Sequence, residues 1–426
     1  MMKRYTVMVA GLALLAGCAV KDSTDEKTEQ APIQPAAPVA QSDADLQAFD
    51  EPEMTREQIE AGRLANDWAS VVQLDTTGSG APVRGTEKWE QISADLVNNA
   101  PAALPLGGDM GGPTALRVQI LLDRAFFSPG MMDGRWGKNT AKAVYFFQRR
   151  EGLRTTGRVD SATYNKLAEA AGKPDELVMG QTLTAEDLKG PFKELPDSIY
   201  EQAKQDCTCY ESLSEKLSED FHATPELLAK LNPGVEIDNL QAGAKVNVPN
   251  VRDPNGAPAG EVAELLVSGR GSYVHAVDAS GRVLYHFPST LGGTYEPSPQ
   301  GDFRVTNITK NPWWHFQPAL LDAVPDDRPD ARIPPGPNNR VGAVWMSLSA
   351  PHYGIHGTNR PEAIGYASSA GCVRLTNWDV LFLADRVKKG ITVRFTDIQG
   401  RTGAQDASGN GSRVDSAAKA AGRGTR

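Results

Sequence analysis

The amino-acid sequence predicts a multidomain α+β protein with a small three-helix domain, a second small module and a mainly β domain towards the C-terminus. Apolar residues recur at helical spacing between residues 113 and 170. From residue 262 onward, short alternating strands are separated by Gly and Pro turns. The chain has 426 residues, of which 40% are hydrophobic, so two or three separate cores are expected.

Charge and cysteine content exclude several classes of protein. The formal net charge of -9 gives no basic stripe for nucleic acid, which is therefore not an expected partner. Four cysteines are too few for a disulfide scaffold. Cys207 and Cys209 are separated by one residue, too few for a spaced metal-binding pair, and their role stays open. His275, His286 and His315 lack the spacing of metal ligands, so we expect no metal and no cofactor.

The N-terminus has the features of an export signal. Two basic residues precede an apolar run over residues 5–15, which is too short to span a bilayer as a mature helix. Residues 15–18 resemble the bacterial lipobox, and this resemblance implies a lipid on Cys18. Because Ala19 is not acidic, we expect an anchor in the outer membrane of a Gram-negative cell, with the protein in the periplasm. Each buried methylene of the lipid would contribute about 0.8 kcal/mol.

Three further stretches are expected to have no compact domain of their own. Residues 19–50 are rich in Pro, Ala, Gln, Asp and Thr, and predict a flexible linker. Residues 51–100 show partly helical periodicity, and we assign them no function. Residues 397–426 consist mainly of Gly, Ser, Ala and charged residues, which predicts a disordered tail.

Residues 110–172 are predicted to form the three-helix domain. The helices are expected over 116–127, 140–147 and 161–167, with Thr140 and Ser161 as N-caps. The domain resembles small peptidoglycan-binding domains at residues 133–137, 140, 143–144, 147–148, 152–153, 157 and 160–167. The resemblance implies that peptidoglycan is a partner, although most of the matching positions are core and turn residues.

Residues 195–252 are predicted to form a second module. Its end resembles the C-terminal half of lysin-motif domains, which bind N-acetylglucosamine polymers, at residues 227, 231–233, 240, 243, 246 and 248–249. Its start departs from that family, because residues 207–210 stand in place of the usual Gly-Asp-Thr turn. A working sugar site and a spacer that kept only the fold are both open.

Residues 261–396 are predicted to form the mainly β domain. Strands are expected over 263–267, 273–277 and 282–287, with a hairpin turn at 278–281. Many short strands with Gly and Pro turns indicate a β sandwich or barrel.

A histidine and a cysteine in one segment of this domain predict thiolate chemistry. His356 precedes Cys372, which remains as a thiol in an exported protein. Such chemistry needs a base for the thiol proton and donors for the developing oxyanion. Gly371 permits close backbone approach, so the N–H groups at residues 371 and 372 are natural oxyanion donors.

These residues resemble the catalytic signature of the L,D-transpeptidases, which pairs His-Gly-Thr with Ser-x-Gly-Cys-x-Arg. The resemblance covers residues 262–396, with further matches at 299–303, 311–314 and 334–342. It implies a mainly β catalytic domain in which Cys372 is the nucleophile and His356 is first the base and then the acid. The Gly357 carbonyl would fix the imidazole tautomer. Arg374 would hold the loop or bind charged groups of the substrate.

The remaining site residues are expected to support this pair. Ser369 would hydrogen-bond within the catalytic loop, and Tyr353 and Trp314 are candidates for lining the substrate groove. Many members of the family have a polar residue where this chain has Ala370, which puts the preferred second substrate in question. If residues 352–356 are extended, His352 lies on the same side of the strand as His356 and could be a second base.

The predicted reaction is attack by Cys372 on the bond between diaminopimelate and D-Ala in a tetrapeptide stem, followed by transfer of the thioester to an amine of a second stem. The same site could instead use water, as an L,D-carboxypeptidase, or attach a protein to the stem or release it. A wall-tethering lipoprotein without activity is the alternative from another class. A papain-like peptidase is disfavoured, because there the Cys precedes the His.

Overall fold

The protein is described by a computed structural model over residues 58, 62, 67–74, 87–293, 296–320 and 328–398. The predicted lipid signal with Cys18, the linker over 19–50 and the tail from residue 399 lie outside these ranges. Within them, no helix is both long enough and apolar enough to cross a membrane.

The N-terminal region contains the expected three-helix domain, preceded by one short helix. Its helices are α1 (Ala94–Asn99), α2 (Pro113–Arg124), α3 (Lys138–Arg150) and α4 (Ser161–Ala170). The apolar face of α2 packs with α3 around residues such as Val118, Leu122 and Phe147, all without solvent exposure. Helical periodicity alone therefore located the domain.

The N-caps differ from the predicted ones. Gly137 caps α3, and Thr140 lies inside the first turn, so that helix begins earlier than expected. Asp160, not Ser161, caps α4, because its carboxylate accepts a hydrogen bond of 2.8 Å from the Thr163 amide. An acidic side chain one residue before the helix can reach that amide.

The second module begins before its predicted start at residue 195. It contains β1 (Val178–Thr182), α5 (Ile199–Gln202), α6 (Leu213–Asp220), α7 (Pro225–Leu231) and β2 (Lys245–Pro249). β1 and β2 pair antiparallel, and Val178, Val246 and Val248 pack under Leu227. The resemblance to lysin-motif domains had placed residues 207–210 directly after the first strand. In the structure they do not follow it. They lie between α5 and α6, within a longer connection.

The C-terminal domain contains one eight-stranded sheet. Its strands are β3 (Glu264–Ser268), β4 (Tyr273–Val277), β5 (Val283–Pro288), β6 (Gly301–Lys310), β9 (Val344–Leu348), β10 (Gly354–His356), β11 (Val373–Arg374) and β12 (Thr392–Thr396), while β7 (Trp314–Phe316) and β8 (Ala331–Ile333) form a separate ribbon. The order is β11-β10-β9-β6-β12-β3-β4-β5. A bulge between Val305 and Asn307 lets β6 pair with β12 through its first half and with β9 through its second.

The sheet curls until its two edges approach each other. The chain beyond β5 forms bridges from Thr290 to Arg374 and from Gly292 to Ser369, which place it beside β11. This arrangement approaches the predicted barrel, and the predicted sandwich is wrong, because one sheet bends on itself instead of two sheets packing face to face. The segment from Ser369 to Arg374 therefore lies between β10 on one side and the chain beyond β5 on the other.

A buried ionic network connects the three folded regions. Arg252 contacts Asp123 of α2 at 2.9 Å and Asp379 of α8 (Asn377–Ala384) at 2.5 Å. His222 of the second module hydrogen-bonds to Asp123 at 3.1 Å, and Ser128 donates to Asp379 at 2.8 Å. Burial alone would raise the pKa of Asp123, but the charges of Arg252 and His222 outweigh it and hold that pKa below its ordinary value. The network sets the position of the N-terminal regions against the catalytic domain.

Candidate active site

The sheet brings the predicted nucleophile and base onto adjacent strands. Cys372 directly precedes β11, which pairs in parallel with β10, so that Ile355 lies opposite Val373 and His356 opposite Arg374. The Leu375 amide donates to the His356 carbonyl at 2.9 Å, which continues this pairing. Residues sixteen positions apart therefore meet because a parallel pair joins them.

The loop before Cys372 is held by two serine hydroxyls. Ser369 donates a hydrogen bond of 2.6 Å to the Cys372 carbonyl, as the sequence predicted in general terms. Ser298 donates one of 2.8 Å to the Gly371 carbonyl and was not predicted. The signal available was its place directly before the 299–303 motif. Both bonds use carbonyl oxygens of the loop, at Gly371 and at Cys372.

Position 371 favours glycine for two reasons, its positive φ angle and the close contact with Tyr353. Its φ is +98°, in the region that favours glycine. A Cβ atom there would lie 2.7 Å from Cε1 of Tyr353, so the tyrosine ring packs against the backbone beside the nucleophile. Tyr353, a candidate for lining the groove, is therefore placed against Gly371, next to the nucleophile.

His356 is buried, with 4% exposure, and its ring is aligned by two neighbours. Nδ1 lies 2.7 Å from the Gly357 carbonyl, which can only accept, so Nδ1 bears the proton and Nε2 is the basic nitrogen. The imidazole stacks on Trp345 with ring centroids 5.2 Å apart. Burial, and then the charge of Arg374, lower the pKa of His356 from 6.5 to about 3, while the Gly357 hydrogen bond raises it slightly. The free imidazole is therefore neutral at pH 7, with a lone pair on Nε2.

Asn377 holds the His-Gly-Thr loop and was not predicted. Its Oδ1 accepts hydrogen bonds from the amides of Ala343, at 3.0 Å, and Thr358, at 3.2 Å. A Cβ atom on Gly357 would lie 2.2 Å from the same Oδ1, so the amide group touches the residue whose carbonyl orients His356. Asn377 lies five residues after Cys372 and outside the Ser-x-Gly-Cys-x-Arg signature. The sequence therefore gave no indication of this contact.

Three arginines give this region a positive potential. Arg374 exchanges backbone hydrogen bonds with Thr290 on one side and pairs with His356 on the other. Burial, followed by the charges of Arg374 and Arg360, lowers the pKa of Arg340 to about 10. Such a group of guanidinium ions suits a substrate with carboxylates. Both predicted roles of Arg374, in the loop and towards the substrate, are compatible with its position.

Trp314, the other aromatic candidate, lies next to Arg340, and His352 lies in a turn beside the thiol. Trp314 belongs to the β7–β8 ribbon, where it packs on Phe316 with ring centroids 5.6 Å apart, and Arg340 Cζ lies 5.7 Å from its ring. His352 has φ +66° in an exposed turn, and the strand begins only at Gly354, so the condition under which His352 could be a second base is not met. What His352 directs at the thiol is its carbonyl oxygen, 3.8 Å from Cys372 Sγ.

Among the residues that the structure describes, the remaining histidines and cysteines form no metal site. His275 and His286 hydrogen-bond to each other at 2.9 Å inside the sheet, and His315 is exposed on β7. Across the described part of the chain, no cluster of three metal-ligating side chains occurs.

Cys207 and Cys209 form a disulfide, and the residue between them hydrogen-bonds to the segment over residues 334–338. Thr208 donates two hydrogen bonds of 3.1 Å to carbonyls of residues 334–338 and accepts one of 3.0 Å from that segment. This segment continues into Gly342, which packs against the His-Gly-Thr loop. The sequence left the role of these cysteines open. In the structure, the loop that they close hydrogen-bonds to the segment that leads to the His-Gly-Thr loop.

A thiol and a neutral imidazole on adjacent strands of a curled sheet define a cysteine-dependent acyl-transfer site. Two family models match the chain: "L,D-transpeptidase catalytic domain" over residues 263–395 and "Putative peptidoglycan binding domain" over residues 112–167. A Bacillus licheniformis protein named "Putative L,D-transpeptidase YkuD" is 33% identical over 182 residues, which are 43% of this chain and 92% of that protein. A Bacillus subtilis protein of the same name is 30% identical over 177 residues, which are 42% of this chain and 89% of that protein.

The chain therefore belongs to the L,D-transpeptidase family, and it is a cysteine transpeptidase with an N-terminal peptidoglycan-binding domain. Among solved structures, the crystal structure of an L,D-transpeptidase, residues 123–326, from Xylanimonas cellulosilytica shares 16% identity with it. The match covers 70% of this chain and 100% of that one, with a TM-score of 0.30.

Proposed function

We propose that this enzyme cross-links peptidoglycan by attacking the diaminopimelate–D-Ala bond of a tetrapeptide stem with Cys372. The observation that carries the proposal is the tautomer of His356, whose Nδ1 faces the Gly357 carbonyl at 2.7 Å. Nε2 is thereby left as the basic nitrogen on the strand next to the thiol. A buried neutral imidazole can take the thiol proton at neutral pH.

The first half of the reaction releases D-Ala. His356 Nε2 takes the proton from Cys372, and the sulfur attacks the carbonyl carbon of diaminopimelate. The N–H groups of residues 371 and 372 stabilise the oxyanion. The bond to D-Ala then breaks, its nitrogen receives the proton from His356, and a thioester remains on Cys372. Arg374 and Arg340 are suited to hold carboxylates of the stem.

The second half transfers the acyl group. An amine of a second stem attacks the thioester, His356 takes the excess proton from that amine, and the Cys372 thiolate leaves and receives the proton from His356. The new amide bond joins the third residues of the two stems. Water competes with the amine for the thioester, so holding both stems at the enzyme favours cross-linking by raising the effective concentration of the amine.

The peptidoglycan-binding domain and a lipid on Cys18 would keep the enzyme between the peptidoglycan and the outer membrane. The peptidoglycan-binding domain over 112–167 gives the chain a contact with its substrate. A lipid on Cys18 would place the other end in the outer membrane, with the linker over 19–50 reaching across the periplasm. The second module, if it binds glycan, would add to the same attachment.

The test uses the chain from residue 19 onward with a disaccharide-tetrapeptide, comparing the wild type with Cys372→Ala. Intact-mass spectrometry follows the thioester, peptide mapping locates it, and chromatography follows the muropeptides. Cross-linked dimers from the wild type alone are expected. Tripeptide as the exclusive product would make the enzyme an L,D-carboxypeptidase. A folded wild type that binds the substrate and never forms a thioester would favour a wall-tethering protein.

A further inference from the structure

A carboxylate of the second module lies buried against the catalytic domain. Glu219, on α6, is 7% exposed, and both of its oxygens accept hydrogen bonds of 3.1 Å from Nδ2 of Asn377. Tyr210 donates to the same carboxylate at 3.2 Å. This contact joins two modules, since Asn377 is the first residue of α8 in the catalytic domain.

The opposite side of the Asn377 amide faces the loop of the catalytic histidine. Its Oδ1 receives the amide protons of Ala343 and Thr358 and touches Gly357. The Gly357 carbonyl in turn accepts the hydrogen bond from Nδ1 that fixes the tautomer of His356. One side chain therefore separates Glu219 from the residue that orients the base.

An asparagine amide can bind in two orientations that exchange its oxygen and its nitrogen. Only one of them serves the loop, because the two backbone N–H groups need an acceptor. A carboxylate offers acceptor oxygens to Nδ2, and the Pro337 carbonyl offers another at 3.1 Å. The donors on the loop side and the acceptors on the other side together favour the orientation in which Oδ1 faces the loop. The reversed amide would direct N–H groups at N–H groups on that side and oxygen at oxygen on the other.

We propose that Glu219 is a positioning residue for His356, acting through the amide orientation of Asn377, so that the second module completes the active site of the catalytic domain. This inference rests on the proposed acyl transfer at Cys372. It explains why α6 buries a carboxylate against a neighbouring module, where an apolar residue would pack at less cost. The module then has a task in catalysis whether or not it binds glycan.

The surroundings of Glu219 also determine its pKa, and with it the protonation state in which it meets Asn377. Burial raises the pKa of Glu219 to about 8, the hydrogen bonds from Asn377 and Tyr210 oppose this rise, and the charges of Glu215 and Asp220 add to it. In either protonation state, one carboxyl oxygen remains an acceptor for Nδ2. The positioning contact is therefore retained across neutral pH.

The test compares Glu219→Gln and Glu219→Ala in the chain from residue 19 onward. Gln keeps the size and one acceptor oxygen, whereas Ala removes both. The measurements are the rate of Cys372 acylation by a carbapenem, the pH profile of Cys372 alkylation by iodoacetamide, and the unfolding midpoint. The control is Glu236→Ala, because Glu236 is an exposed carboxylate of the same module that makes no capping hydrogen bond.

We expect the acylation rate to fall at least about tenfold in Glu219→Ala, less in Glu219→Gln, and not in the control, because a misplaced base loses rate steeply. The alkylation profile should shift in the same order, since it reports the thiol and imidazole and not the packing of the module. Folded variants with wild-type acylation and alkylation profiles would overturn the inference, even if their unfolding midpoints fell. A folded wild type that forms no thioester with the disaccharide-tetrapeptide would instead refute the proposed function itself.

Discussion

The Nδ1 atom of His356 lies 2.7 Å from the carbonyl oxygen of Gly357, its neighbour in the chain. In Ser-His-Asp triads a carboxylate faces this nitrogen and stabilises the imidazolium by its charge. A carbonyl fixes the same tautomer with only a partial charge. Burial therefore dominates here, with help from Arg374, and the pKa of His356 falls to about 3.

The low pKa of His356 predicts how stability depends on pH. The folded pKa, about 3, is below the ordinary value of 6.5, so the unfolded chain binds more protons between these values. Stability should therefore fall as the pH drops from 6.5 towards 3. We expect His356→Gln to lose less stability over that interval, measured by urea unfolding at several pH values. Equal pH slopes for His356→Gln and the wild type would contradict this prediction.

The two histidines near the thiol should differ sharply in their effect on acylation. His356→Ala removes the base and should lower the rate of carbapenem adduct formation on Cys372 by about 10²–10⁴-fold. His352→Asn should keep a rate near the wild type, because His352 presents its backbone carbonyl and Asn tolerates a positive φ. Stopped mixing with mass spectrometry measures both rates. A large loss in His352→Asn would restore His352 as a second base.

Two glycines with similar backbone angles separate strain from steric conflict. Gly371 has φ +98° and would place a Cβ atom 2.7 Å from Tyr353, whereas Gly390 has φ +91° and open space around it. Gly390→Ala should cost about 1–3 kcal/mol of unfolding free energy from backbone strain alone. Gly371→Ala should cost more and should also slow acylation of Cys372. Equal losses of stability and unchanged acylation would show that the Tyr353 contact does not hold the catalytic loop.

The buried Arg252 should be far more important for stability than an exposed arginine. Arg252→Met leaves the carboxylates of Asp123 and Asp379 buried without their shared cation, at a cost of about 3–5 kcal/mol. Arg394→Met, which breaks half-exposed pairs with Glu264 and Asp302, should cost about 1 kcal/mol or less. Chemical unfolding of both variants gives the comparison. Similar losses would mean that water or a rearrangement compensates for the missing guanidinium.

The sequence located features that depend on neighbours in the chain. Helical spacing found α2 to α4, alternation found β3 to β5, and the signatures around His356 and Cys372 found the reacting groups. It misplaced helix starts by one to three residues, because capping depends on which side chain reaches a free amide. It also missed β1, whose partner β2 lies more than sixty residues away.

By itself, the sequence determined the chemistry of this protein, since a thiol, an imidazole and the residues beside them are given by residue type and order. Only the tertiary structure decided what positions that chemistry. Ser298 reaches the nucleophile loop across 73 residues, Asn377 reaches the His-Gly-Thr loop across 19, and Glu219 reaches Asn377 across 158. Such contacts leave no local pattern, because their partners are chosen by how the sheet curls and how the modules pack.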